Sequence, residues 1–232
     1  MTLLKHSLSV LTLPAVLAMG FLFSGVPAHA NNLTSQFDSE HKICLERIAE
    51  DPELAYEEAM IWRDNGGGRR AKHCEAMALF GVGQTEEAAY RLNQLAKAPD
   101  GGTPQMRADF YTEAANFWLL SNLPKEAYAS STAGLKLVKS HIDLRIARAR
   151  AYALLGHYDY AETDLTSVQV FDKTHAGALR YRADARRHLG KLEAAKVDIE
   201  NSLAADPTIV ETALLRGEIN EAIRKSAASV SK

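Results

Sequence analysis

The sequence predicts an all-α fold: about five antiparallel helix pairs stacked in tandem and closed by a C-terminal helix. Three observations predict it. Turn-forming residues recur at Gly83, Asn122, Gly156 and Gly190, the last three at a spacing of 34. Alanines hold fixed places around them, seven residues before (Ala76, Ala115, Ala149, Ala183) and five after (Ala88, Ala127, Ala161, Ala195). Apolar residues otherwise recur at intervals of three and four, the spacing that gives a helix one buried face.

Residues 1–30 are read as a cleaved secretory signal peptide. Lys5 and His6 stand at the front, an apolar run follows from Leu11 to Phe23, and Ala28-His29-Ala30 ends the segment. The other reading is a single anchoring helix, but Pro14 and Gly20 break the run, which is shorter than the ~20 residues a spanning helix needs. No later segment is long and apolar enough to span, so no stable membrane span is expected after cleavage. Export is expected, with the periplasm as destination. Loss of Lys5 takes the net charge from −2 to about −3. That balance argues against nucleic acid as a partner, which wants a strongly basic domain.

Residues 31–68 read as a degenerate, acidic first repeat, with Ala55 and Ala59 on its second helix. Residues 69–209 hold four better units, at 69–107, 108–141, 142–175 and 176–209. The first interval is 39 residues rather than 34, and the turn-rich PDGGTP, Pro99 to Pro104, absorbs the excess. In each unit the turn residue ends one helix, where Gly or Asn tolerates the left-handed backbone of a helix stop. The two alanines then face each other, and their small side chains let the two axes approach closely. Larger residues fill the space four before the turn (Leu79, Trp118, Tyr152, with Arg186 as a departure) and nine after it (Leu92, Ser131, Leu165, Ile199). Asp206-Pro207 closes the last unit. Residues 210–232 are a capping helix and short tail. No unit buries its face alone, so neighbours must stack.

These spacings resemble the tetratricopeptide repeat (TPR) family, and specifically an exported bacterial member. The resemblance implies a right-handed α–α superhelix whose first helices line a concave groove. Such grooves commonly receive a peptide or a partner's helix. Counted from the turn residues, the groove-facing side chains are Asn116, Arg150, Arg180, Asp184 and Arg187, with Thr112, Leu119, Ile146 and Ala153 beside them. The arginines would form a basic stripe suited to carboxylates, since a planar guanidinium donates two parallel hydrogen bonds. Their other reading is a solvated face paired with Asp143, Asp159 and Asp184. The carboxylate clamp of chaperone-binding relatives needs Lys and Asn at set places. Only Asn116 fits, with Thr112, Ala147, Gly177 and Tyr181 at the others.

Cys44 and Cys74 fall on the first helices of units one and two. In an exported chain an isolated pair reads first as a disulfide, here closing about thirty residues. A zinc site from His41, Cys44, His73 and Cys74 is the alternative, but adjacent His73 and Cys74 point about 100° apart on a helix and converge poorly on one metal. A redox pair lacks a Cys-x-x-Cys motif.

No nucleophile elbow, phosphate loop or His-Glu-x-x-His is present. Gly66-Gly67-Gly68 follows Asp64-Asn65 between helices and lacks the strand and Gly-Lys-Ser/Thr of a phosphate loop. His141, His157, His175 and His188 fall at turns and helix ends, where capping is the ordinary role. The expected function is therefore a non-catalytic protein-interaction scaffold of the cell envelope, without cofactor or metal, holding a protein or peptide partner in its groove. Its rival is a glycan- or peptidoglycan-binding module using Trp118, Tyr111 and Tyr128. The sequence does not set the partner's identity or the oligomeric state.

Overall fold

The computed structural model describes residues 28–230, with side chains from 36 to 229. Of the expected signal segment, 1–27 lie outside the described residues. The described chain forms eleven helices and no strand. They are α1 (Ala28–Glu50), α2 (Pro52–Asp64), α3 (Gly68–Gly81), α4 (Thr85–Lys97), α5 (Pro104–Leu120), α6 (Pro124–Leu137), α7 (Ile142–Leu154), α8 (Tyr158–Phe171), α9 (Ala176–His188), α10 (Leu192–Ala205) and α11 (Val210–Val230). Odd-numbered helices are the first of each pair and even-numbered the second, with α11 alone at the end.

The turn residues behave alike. Gly83, Gly156 and Gly190 have φ of 82°, 79° and 71°, and Asn122, at 56°, is the one non-glycine with positive φ among the described residues. In each case the next residue donates its N–H to the carbonyl five residues back: Gln84 to Leu79, Leu123 to Trp118, His157 to Tyr152 and Lys191 to Arg186, at 2.8–2.9 Å. These bonds satisfy carbonyls that the end of a helix leaves open.

All eight phased alanines are buried, none more than 1% exposed. They are the contact points at which paired axes meet, and Leu92, Ser131, Leu165 and Ile199 fill the space beside them. Ser131 satisfies its buried hydroxyl by donating to the Ala127 carbonyl at 2.7 Å. Arg186, standing where an apolar residue was expected, is held by Glu162 at 2.9 Å and Asp198 at 2.8 Å. It joins two units by charge where its counterparts pack by shape.

A second phased pair was not anticipated. Eight residues before and eight after the turn, Arg148 meets Asp164 and Arg182 meets Asp198, each through two bonds of 2.7–2.8 Å. In the third unit these places hold Ala114 and Ser130; in the second they hold Glu75 and Arg91, the same pair with its charges exchanged.

One element bound differs from expectation. Thr103 caps α5 by accepting from the Met106 N–H, and Pro104 occupies the first turn, where its missing N–H costs nothing. The boundary placed between 107 and 108 therefore falls inside α5. The C-terminal helix runs on to Val230, burying Thr212 and Ile219 and leaving most of its other side chains exposed.

Cys44 and Cys74 are joined in a disulfide, with Cα atoms 6.2 Å apart, tying α1 to α3. Odd-numbered helices of adjacent units touch (α1 with α3, α5 with α7, α7 with α9, α9 with α11), whereas even-numbered helices do not approach their counterparts comparably. The odd helices thus line the inside of the curve.

Candidate functional site: the concave face

The inner face carries two polar clusters. The first spans α7 to α11. Arg150 Nη1 donates to Asn116 Oδ1 at 3.1 Å, linking α7 to α5. The Arg150 and Arg180 guanidiniums lie 5.3 and 4.4 Å from the centre of the Tyr181 ring. A ring face attracts cations, and this one holds two together despite their repulsion. Neither arginine has an acidic partner among the described residues. Arg180 Nε is buried without a hydrogen-bond partner. Arg187 differs: it donates to Asp184 at 2.8 Å and lies 3.6 Å from Glu218 of the capping helix. Thus Asn116, Arg150 and Arg180 adjoin. The stripe's third arginine is already neutralised, and Tyr181, noticed in the sequence only as a clamp mismatch, is its organising residue. Of the acids proposed to pair this face, Asp184 does so; Asp143 and Asp159 form no ion pair among the described residues. Leu119 and Ile146, expected to face the groove, are buried in the core.

The second cluster lies between α1, α3 and α5, in a cavity of about 210 Å³ lined by Asp38, His41, Arg69, His73, Phe110 and Glu113, among others. His41 Nε2 and His73 Nδ1 are 2.8 Å apart, and His73 Nε2 is 2.8 Å from Glu113 Oε2. With both rings neutral, His73 donates to Glu113 and accepts from His41, a proton-linked chain across three helices. Burial, reinforced by His73 and Arg70, pushes His41 down to about 4. Arg70 is bound to Asp38 at 2.5 Å, while Arg69 Nε is buried without a partner. The sequence offered His41 and His73 only as zinc ligands with the two cysteines. The bridged sulfurs rule out that set of thiolate ligands, and among the described residues no group of three or more His, Cys, Asp or Glu converges to hold a metal.

The other described histidines of the sequence reading cap or stack. His141 and His175 accept from Leu144 and Ala178 N–H, and His188 stacks on Tyr158. Nor do Trp118, Tyr111 and Tyr128 form one open platform. Tyr111 is core, Trp118 packs against it, and Tyr128 lies against Tyr152 with ring centres 5.2 Å apart.

No protein-family model and no curated protein matches the sequence. Solved structures do match. The first TPR domain of human RPAP3 is 28% identical over 53% of this chain and 96% of that one, with a TM-score of 0.50. A thermophilic TPR protein of Thermus thermophilus is 17% identical over 81% of this chain and 98% of that one, at 0.52. A double mutant of MamA RS-1 is 12% identical over 75% of this chain and 94% of that one, at 0.62. Taken with the phased turns, buried alanines and curved stack, these likenesses give the chain the fold of a right-handed TPR solenoid.

Proposed function

We propose that the chain is a non-catalytic scaffold of the bacterial cell envelope that receives an acidic segment of a partner protein in its concave face. The observation that carries this reading is the Arg150–Tyr181–Arg180 cluster, two guanidiniums on one ring with no acid of their own. An approaching carboxylate gains two cations already held in place, so little side-chain entropy is lost on binding. Export to the periplasm is supported by the N-terminal pattern and by the Cys44–Cys74 bridge, since disulfides persist in oxidising compartments. The scaffold role is supported by the repeat architecture and by the lack of any enzyme motif in the sequence.

The test is crosslinking and affinity purification from envelope extract with the parent and with Arg150→Glu/Arg180→Glu. The expected result is a partner recovered by the parent and lost by the variant, with nearly equal melting temperatures. Recovery of the same partners by both refutes the groove assignment.

A further inference from the structure

One cavity lies away from the inner face. It has a volume of about 390 Å³ and sits between α2, α3 and α4, at the seat where α3 meets α4. The charged pair eight residues either side of the turn sets this seat apart from its counterparts. In units four and five the arginine of the odd helix forks onto the aspartate of the even helix across this seat. In unit three the residues there are small, and the corresponding space is about 170 Å³. In unit two the exchange of charges undoes the fork. Glu75, 3% exposed, receives Arg63 at 2.7 Å and Arg91 at 3.3 Å, both on Oε1. Its Oε2 accepts no hydrogen bond among the described residues.

We propose that this cavity binds a neutral, hydroxyl-rich ligand, a mono- or disaccharide. The charges select it. The cavity's charges are already paired within the protein: Glu75 with Arg63 and Arg91, Glu87 with Arg91 and Lys72 with Asp100, so neither a cation nor an anion finds a free counter-charge. A ligand of alternating hydroxyl donors and acceptors needs none. Glu75 Oε2 accepts from one hydroxyl, and the guanidiniums and Gln94 donate to others. Tyr90, 50% exposed, offers a ring to the apolar face of a sugar, with Leu95 and Ala98 as the apolar wall. Few polar groups set among apolar surface is the usual make-up of a small-molecule site. The inner-face arginines take no part, so this proposal stands apart from the peptide groove.

The test titrates the full chain with N-acetylglucosamine, its β-1,4-linked dimer and maltose, followed by backbone NMR shifts. The expected result is saturable binding of at least one sugar with a Kd on the order of 1 mM. The shifts should centre on Arg63, Glu75, Tyr90, Arg91 and Gln94. Tyr90→Ala, an exposed site, should weaken binding about ten-fold or more and leave the spectrum otherwise native. Glu75→Gln should weaken it also, and inorganic phosphate should not compete. Binding of none of the three sugars overturns the proposal. So does loss of binding on Tyr160→Ala but not Tyr90→Ala, which moves the site to the Tyr128–Tyr152–Tyr160 rings, and so does displacement by phosphate.

Discussion

Asp164→Ser removes the carboxylate on which Arg148 forks at 2.7 Å and to which Arg145 adds a contact at 3.6 Å. The side chains of Asp164, Arg148 and Arg145 are 7%, 20% and 21% exposed, so the lost interaction is poorly replaced by water. At an effective dielectric constant of about 20, unit charges about 4 Å apart attract by ~4 kcal/mol before desolvation is counted. Breaking such a pair by one partner costs about 3 kcal/mol, because a guanidinium is left buried and unpaired. Unit three shows the alternative, since Ala114 and Ser130 stand at the same places and Ser130 donates to its own helix at Glu126 O. The double variant Arg148→Ala/Asp164→Ser copies that arrangement and should cost only about 1 kcal/mol. Urea unfolding followed by helical circular dichroism gives the three stabilities and their coupling, with constant slope checking that the array still unfolds as one unit. A double variant as unstable as the single one, or a single variant within about 0.5 kcal/mol of the parent, refutes the view that pairing rather than packing holds this seat.

Gly134→Ala should destabilise by about 1–2 kcal/mol in chemical denaturation despite better helix propensity, because overpacking outweighs that gain. Its Cβ would lie 2.5 Å from Leu144 Cδ1 and 3.0 Å from Tyr111 Cβ, so a gain in stability counts against the packing seen here. Reduction of Cys44–Cys74, with 30 residues of sequence separation, should lower stability by about 3–4 kcal/mol, read as a shift in urea midpoint on adding dithiothreitol. No shift refutes the bridge's role. His41, held near 4 against an ordinary 6.5, takes up a proton in the unfolded chain before the folded one. Stability is therefore full above about pH 6.5 and falls between there and 4, by about 1–2 kcal/mol once screening of a half-buried ring is allowed for. His41→Gln should flatten that slope, and an unchanged slope removes His41 as its source.

The repeat was legible because it is written in residue types with few uses. Gly156, Gly190 and Asn122 mark backbone that most residues avoid, and Ala149 and Ala161 mark axes too close for anything larger. Both constraints are local or recur at a fixed period, so the linear sequence determined the helix pairs, their turns and the stack. Arg150 and Arg180 were found by the same counting. Partnership was not legible. Whether an arginine is spent on an acid or left open depends on helices brought together by stacking: Arg187 meets Glu218 thirty-one places on, while Arg150 and Arg180 meet at Tyr181. The His41–His73–Glu113 chain and the Glu75 cavity likewise exist only where three helices converge. Tertiary structure decided them, because side-chain charge is read in space, and spacing along one helix says little about what the next helix presents.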